Sequence, residues 1–111
     1  MSKRDDIQLV LDMIESCERI QAYTAGSTGF ESQMVCDAVA RNLEIIGEAA
    51  NRLSEAGRSA HPECPWDEIR GFRNRLVHEY FGVDYDVVWM IVQHDIPTLL
   101  MHLKLWQAEL S

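Results

Sequence analysis

One short stretch of the chain carries side chains suited to proton transfer and to binding an anionic group. Arg73, Asn74 and His78 lie within six residues of each other, and Tyr80 follows two residues after the histidine. Imidazole takes up and releases protons near neutral pH, and a guanidinium offers a planar fork of donors that matches phosphate oxygens. The stretch is therefore the first candidate for a functional site.

Arg73 interrupts the apolar side of a helix that the periodicity predicts over residues 66–80. At about 100° per residue, the apolar residues of this helix share one arc, and Arg73 lies inside it. A guanidinium there is costly unless it is paired or faces an interface. The position of Arg73 in this arc leaves two interpretations open. The arginine can be part of a functional site or an interface, or its long side chain can extend to the surface and pair with a carboxylate.

His78 and Asn74 are four residues apart and would be neighbours on the helix surface. A hydrogen bond between them would fix the tautomer and orientation of the imidazole. On an ideal helix, Arg73 and His78 point roughly 140° apart. A joint site therefore needs a distorted last turn, an arginine that wraps around the helix, or a second subunit. Taken alone, His78 fits a surface or capping residue, and Tyr80 fits a core aromatic residue.

Helical periodicity extends over almost the whole chain and predicts four helices. They cover about residues 5–23, residue 27 or 28 to residue 56, residues 66–80, and a last helix that is capped by Asp84. Thr28 with Glu31 fits a capping box, and Gly57 fits a C-terminal stop. Gly47 indicates close approach of a neighbouring helix, and Pro97 predicts a kink in the last one. The prediction is a single all-α domain over residues 1–111, an up-and-down four-helix bundle.

Composition excludes several classes of protein. Hydrophobic residues make up 47% of the 111 residues, too many for a disordered chain. No apolar run approaches the ~20 residues that span a bilayer, and the first residues lack the apolar core of a signal peptide. Three cysteines without a C-x-x-C spacing predict a reduced, cytoplasmic protein. The net charge of −8 argues against tight, non-specific binding to a nucleic acid backbone.

Other polar groups have simpler interpretations. They are the loop residues His61, Glu63 and Cys64, the helix pair Glu44 and Glu48, and the pair His94 and His102. The loop set lacks a second cluster of ligands and makes a weak metal site. The last two histidines are eight residues apart, too distant for one metal. We expect a glutamate of the helix pair to form an ion pair with Arg41, Arg52 or Arg73.

The segment RNRLVHEY, residues 73–80, resembles the signature of the HEPN superfamily. In that signature an arginine, often followed by a polar residue, precedes a histidine by four to six intervening residues. The continuation FGVD and the blocks AVARNLEIIGEAA, residues 38–50, and DIPTLL, residues 95–100, resemble the HepT branch, the toxin of HepT/MntA toxin–antitoxin pairs. These blocks in this order cover nearly the whole chain and are far more specific than a bare Arg-x4-His.

The resemblance implies a metal-independent endoribonuclease, the toxin of a type VII toxin–antitoxin pair, that needs no cofactor and acts as a homodimer. Arg73 and His78 would be catalytic at a cleft between the subunits, and Asn74 would orient them. Tyr80 matches the tyrosine that an MntA-type nucleotidyltransferase antitoxin modifies with AMP. Since RNA carries its own nucleophile, the 2′-hydroxyl, the products would be a 2′,3′-cyclic phosphate and a 5′-hydroxyl. Arg70 and Arg75 are candidates for RNA phosphate contacts.

Two other functions compete with this one. The same polar residues could form a non-catalytic module that binds a nucleotide or a partner protein, or the chain could be a structural helical dimer or adaptor. The third and fourth helices also carry many aromatic residues for so small a bundle. We expect some of Trp66, Phe81, Trp89 and Trp106 to lie in a twofold interface.

Overall fold

A computed structural model of the chain describes residues 3–30, 32–72 and 85–110, and all regular structure within these ranges is helical. The helices are α1 (Lys3–Thr24), α2 (Gln33–Arg52), α3 (Glu55–Ala60), α4 (Trp66–Arg70), α5 (Tyr85–Met90) and α6 (Ile96–Leu110), with a π-helical turn (Ile91–Asp95) between the last two. The prediction of an all-α bundle is confirmed. Within the described ranges, no helix has the length and apolar character needed to cross a membrane.

The three long helices α1, α2 and α6 enclose most of the core. α1 packs against both α2 and α6, and α2 also packs against α4. Asp6, near the start of α1, accepts hydrogen bonds from the backbone and hydroxyl of Ser54, just beyond the end of α2, so these two helices are antiparallel. The predicted apolar stripes face inward, and their fully buried members include Val10, Cys17, Ile20, Val39, Leu43, Ile46, Ile96, Leu99 and Leu103.

The start of α2 differs from the prediction. The helix begins at Gln33, and Ser32 is its N-cap, with its Oγ accepting from the Val35 N–H at 3.2 Å. Thr28 is therefore not the cap, and Glu31 lies outside the described residues. Ser32 takes this role because its extended backbone directs the hydroxyl toward the orphan N–H groups of the first turn.

The end of α2 also differs from the prediction, because a separate short helix, α3, replaces its predicted last turn. α2 ends at Arg52, and Ser54 then caps α3 by accepting from the Gly57 N–H at 2.9 Å. Gly57 consequently lies inside α3 and does not stop α2. A Cβ on Gly57 would lie 2.6 Å from Asp6 Oδ2 and 3.1 Å from Trp106 Cη2, so the glycine is needed for close packing.

Gly47 has the role that the sequence predicted for it. A Cβ at this position would lie 3.2 Å from the carbonyl oxygen of Ile69 and 3.9 Å from Cβ of Phe72. The missing side chain therefore allows α4 and the residues after it to approach the backbone of α2.

Pro97 is accommodated by a π-helical turn. The Ile96 N–H bonds to the Ile91 carbonyl, five residues back, and the helix continues through Pro97 to Leu110. A proline lacks an N–H and its ring crowds the carbonyl four residues earlier, and the wider turn relieves this conflict just before the ring. The apolar stripe stays buried on both sides of the turn, at Val88 and Leu99. The helix predicted over residues 66–80 is interrupted, because α4 ends at Arg70 and Gly71 is its C-cap. The predicted cap at Asp84 and the predicted helix end at Tyr80 lie outside the described residues.

Candidate functional site

The central residues of the predicted site lie outside the described residues; they are Arg73, Asn74, Arg75, His78 and Tyr80. Phe81, one of the aromatic residues expected in an interface, lies outside them too. The structure instead shows the framework on either side of this segment. α4 leads into it, and α5 follows it.

The chain is firmly anchored just before the segment. Ile69 and Phe72 are buried, and Phe72 directly precedes Arg73. The indole Nε1 of Trp66 donates to the carbonyls of Arg58 and His61, at 3.1 and 2.9 Å. Together with the contact at Gly47, these interactions fix the position of the residue that comes before the catalytic candidate.

Arg70 is the one candidate side chain of the predicted site that lies among the described residues. It is exposed, at the end of α4, and its Nε donates to Asn51 Oδ1 on α2 at 2.7 Å. A guanidinium carries five N–H donors, and this bond uses one of them. The bond holds a positive charge at the entrance to the segment, where a phosphate contact was expected.

The chain is also anchored where it leaves the segment. Val88 of α5 is fully buried. Trp89 packs against Phe30 edge to face, with ring centroids 5.1 Å apart and an interplanar angle of 85°. The loop before α2 therefore holds one aromatic ring of α5 in a defined orientation.

Two cavities of about 390 Å³ each adjoin at Met90, which lines both. The described residues of the first are Glu68, His94 and Asp95 with Met90. Those of the second are Thr28, Gly29, Phe30, Asp86 and Trp89 with Met90. We call the two cavities together the Met90 groove. It joins α4, α5 and the π-helical turn, the elements that flank residues 73–84 in the chain.

The loop residues His61 and Glu63 have a structural role. The buried His61 ring stacks on Trp106 and lies between two carboxylates, Glu63 Oε1 at 3.4 Å from Nδ1 and Glu109 Oε2 at 3.3 Å from Nε2. A hydrogen bond to the backbone lowers the pKa of Glu63, and His61 adds to this effect, against a smaller opposing effect of desolvation. Over the part of the chain that the structure describes, no group of three or more His, Cys, Asp or Glu residues could hold a metal ion.

The structure shows where several other residues from the sequence analysis lie and what they contact. Arg41 pairs with Glu44 at 3.5 Å, which confirms the expected partner for one glutamate of the helix pair. His94 lines the Met90 groove, whereas His102 interacts electrostatically with Glu63. Trp66 and Trp106 are buried within the protomer and pack edge to face with centroids 6.0 Å apart. They are not available for the interface that was expected to use some of these aromatic residues.

The three cysteines are buried free thiols. Burial raises the pKa of Cys17 to about 12, with a further contribution from Glu18, and raises that of Cys64 to about 12, with a contribution from Glu63. Burial also raises the pKa of Cys36. Because the thiolate is the reactive form, none of these side chains is suited to act as a nucleophile near neutral pH.

The sequence interpretation missed the Met90 groove. His94 was considered only as a metal ligand, and Glu68 was not considered as a site residue. The available signal was the position of Pro97, which forces a local rearrangement of the helix that carries His94. Nothing local in the sequence indicated that Glu68, from another helix, would line the same cavity.

The fold and the sequence together define a class of protein. It is a small helical bundle that carries an Arg-x4-His segment between two anchored helices. A family model described as "Ribonuclease HepT-like" matches residues 13–105, and the chain belongs to this family. The membership accounts for the three sequence blocks and for the all-α architecture together.

Curated relatives cover most of the chain. A protein of Methanocaldococcus jannaschii named "Putative RNase MJ1380" is 39% identical over 102 residues, which are 89% of this chain and 94% of the relative. The "Probable ribonuclease HepT" of Thermococcus cleftensis is 41% identical over 102 residues, 87% of this chain and 91% of the relative. No solved structure matches the chain.

Proposed function

We propose that the protein is a metal-independent endoribonuclease with Arg73 and His78 as its catalytic residues. One observation carries the proposal: the Arg-x4-His segment at residues 73–78 occurs in a chain that the HepT-like ribonuclease family matches over residues 13–105. The ribonuclease names of the relatives support the same activity.

The reaction uses the nucleophile that RNA carries. The 2′-oxygen attacks the adjacent phosphorus, a 2′-oxygen–phosphorus bond forms, and the bond to the 5′-oxygen breaks. The products are a 2′,3′-cyclic phosphate and a 5′-hydroxyl. His78 exchanges a proton with one of these oxygens, and Arg73 stabilises the negative charge on the non-bridging oxygens. Asn74 orients the imidazole, and Arg70 and Arg75 attract neighbouring phosphates.

A homodimer would supply two copies of the motif at one cleft. This arrangement resolves the problem that Arg73 and His78 point roughly 140° apart on an ideal helix, because the two residues can come from different subunits. Two imidazoles at one cleft also supply both an acid and a base. Exposed apolar side chains on α6, Met101 and Leu105, are available to a second copy.

The biological role in this proposal is that of a toxin that a nucleotidyltransferase antitoxin silences. Attack of the Tyr80 oxygen on the α-phosphorus of ATP forms the new oxygen–phosphorus bond and releases pyrophosphate, and the tyrosine gains a phosphodiester anion and a purine. The anion pairs with Arg73 or Arg70 and occupies the place of the RNA phosphate. The free phenol is neutral near pH 7 and does not compete in this way.

Incubation of the purified protein with RNA, with and without a chelator, tests the activity. We expect cleavage in both samples, with 2′,3′-cyclic phosphate ends identified by mass spectrometry. Cleavage that stops when the chelator is added would contradict metal independence. Binding of RNA without cleavage would favour the non-catalytic binding module.

A further inference from the structure

We propose that the Met90 groove binds unpaired bases of the RNA substrate, one on each side of Met90. The inference rests on the proposed ribonuclease function and concerns how the substrate is held beside the scissile phosphate. It assigns a binding role to Glu68, His94, Trp89 and Met90.

The shape of the groove fits two neighbouring bases. Met90 is 59% exposed at the end of α5, and it lines two cavities of about 390 Å³ each. A flexible, polarizable thioether can pack against two flat rings at once. The side chain therefore serves as the wall between two compartments of one groove.

The charge of the groove favours bases over phosphates. Glu68 and Asp95 line the first cavity, and Asp86 lines the second. Carboxylates repel phosphate oxygens, but they accept hydrogen bonds from the exocyclic amino groups of cytosine, adenine and guanine. The sugar–phosphate backbone must then lie outside the groove. Arg70, which is exposed and lies two residues after Glu68 in the chain, is the cation nearest to Glu68 in the described sequence.

The second cavity offers a surface for stacking. Phe30 meets Trp89 edge to face, so the orientation of the indole is fixed before a ligand arrives. Recognition of single-stranded RNA commonly stacks splayed bases on such rings. The aromatic ring and the carboxylate of Asp86 line the same cavity, which suits a base with one flat face and one polar edge.

The π-helical turn contributes to the first cavity. It carries His94 and Asp95, and Met90 directly precedes it. His94 is four residues after Met90 and is therefore its neighbour on the helix surface. Single π turns of this kind inside α-helices are frequent at functional sites. The exposed imidazole can donate or accept at the edge of a base.

The groove is close to the catalytic segment along the chain on both sides. Glu68 precedes Arg73 by five residues, and Met90 follows Tyr80 by ten. Five residues span at most about 18 Å even when fully extended. A base in the first cavity is therefore within a few nucleotides of a phosphate at Arg73.

Binding of uncleavable RNA tests the inference separately from catalysis. Oligonucleotides with 2′-O-methyl groups have no nucleophile, and their affinity is measured by fluorescence anisotropy. Each position near the cut site is replaced in turn by an abasic nucleotide. We expect the wild type to bind the intact strand roughly tenfold more tightly than the strand lacking a groove base. His94→Ala and Met90→Ala should lose this preference.

Matched variants control for loss of a methionine or a charge. Met34→Ala removes another exposed methionine, 77% exposed, that is not among the described residues of either cavity, and should keep the preference. Glu68→Gln should weaken binding of strands with cytosine or adenine more than of uracil strands, whereas Glu48→Gln should change neither.

Two results would overturn the inference. One is equal affinity of the wild type for intact and abasic strands. The other is tight binding of a lysine-rich peptide, if Met90→Ala or Glu68→Gln abolishes that binding and leaves the affinity for RNA unchanged. The acidic groove would then bind a basic protein segment. Failure of the proposed function gives a different result, namely no cleavage of unmodified RNA by the wild type.

Discussion

His61 and Trp106 stack with their ring centroids 4.2 Å apart and their planes 25° from parallel, although 45 residues separate them in the chain. The contact joins the loop before α4 to the last turns of α6. Glu63 and Glu109 approach the two ring nitrogens of His61, so the imidazole is held by its faces and by its edges. This junction lies directly before the helix that leads into the Arg-x4-His segment.

The first prediction concerns pH. The pKa of Glu63 is lowered in the folded protein, so its carboxylate contributes stability above its ordinary pKa of 4.5, and this contribution is lost as the pH falls through the lower folded value. Urea unfolding of Glu63→Gln should therefore show a shallower loss of stability between pH 5 and the acid limit than the wild type does. Glu55→Gln, which removes an exposed carboxylate in the first turn of α3, is the matched control. Identical profiles for wild type and Glu63→Gln would contradict the prediction.

The second prediction concerns Gly57. Gly57→Ala places a methyl group 2.6 Å from Asp6 Oδ2 and 3.1 Å from Trp106 Cη2, where α1, α3 and α6 meet. We expect a loss of about 2 kcal/mol in the free energy of unfolding, in the range for an overpacked site. Gly29→Ala is the control, because its Cβ would meet nothing within 4 Å and should be neutral or slightly stabilising. Equal stability of the two variants would show that the junction has more room than the structure indicates.

The third prediction concerns catalysis. Arg73→Ala and His78→Ala should each lower RNA cleavage by at least a hundredfold, in line with the roughly 10² to 10⁴ that acid–base or charge stabilisation supplies. Far-ultraviolet circular dichroism should show an unchanged helical content. Arg41→Ala and His102→Ala remove the same side-chain types elsewhere and should retain activity. Full activity in both motif variants would refute the assignment of these catalytic residues.

The fourth prediction concerns control through Tyr80. Tyr80→Phe removes the acceptor oxygen but keeps the ring, so the variant should keep much of its ribonuclease activity and escape silencing by the partner nucleotidyltransferase and ATP. Intact-mass measurement should show an AMP adduct on the wild type and none on the variant. Adducts on both proteins would identify a different acceptor, with Tyr85 the next candidate.

The sequence predicted the bundle well because each long helix carries its own periodic apolar stripe. Gly47 was also interpreted correctly, since a glycine inside a strong helical pattern is costly and needs a packing reason. The predicted start of α2 was wrong because Ser32, and not Thr28, is the N-cap. The predicted end was wrong because Ser54 is held by Asp6, 48 residues away. No local pattern contains such a contact.

The sequence singled out one part of the candidate site and missed another. The motif at residues 73–80 stands out through the types and spacing of its residues, so sequence alone could single it out. The Met90 groove brings Glu68 and His94 together from two helices, and His61 was taken for an ordinary loop residue although it stacks on Trp106. These features depend on how the helices are placed against each other.

The π-helical turn determines how many residues lie between the buried positions of α5 and those of α6. It holds one residue more per turn than an α-helix would, and the buried residues Val88 and Leu99 lie on either side of it. Because the wider turn already absorbs the extra residue, deleting one residue from Ile91–Asp95 would restore the α-helical hydrogen-bonding pattern with little rotation of α6 relative to α5. The Pro97 ring would then crowd the carbonyl four residues earlier. Relatives that lack this turn should therefore also lack a proline at the position of Pro97. The extra residue of the turn and the proline should be gained or lost together.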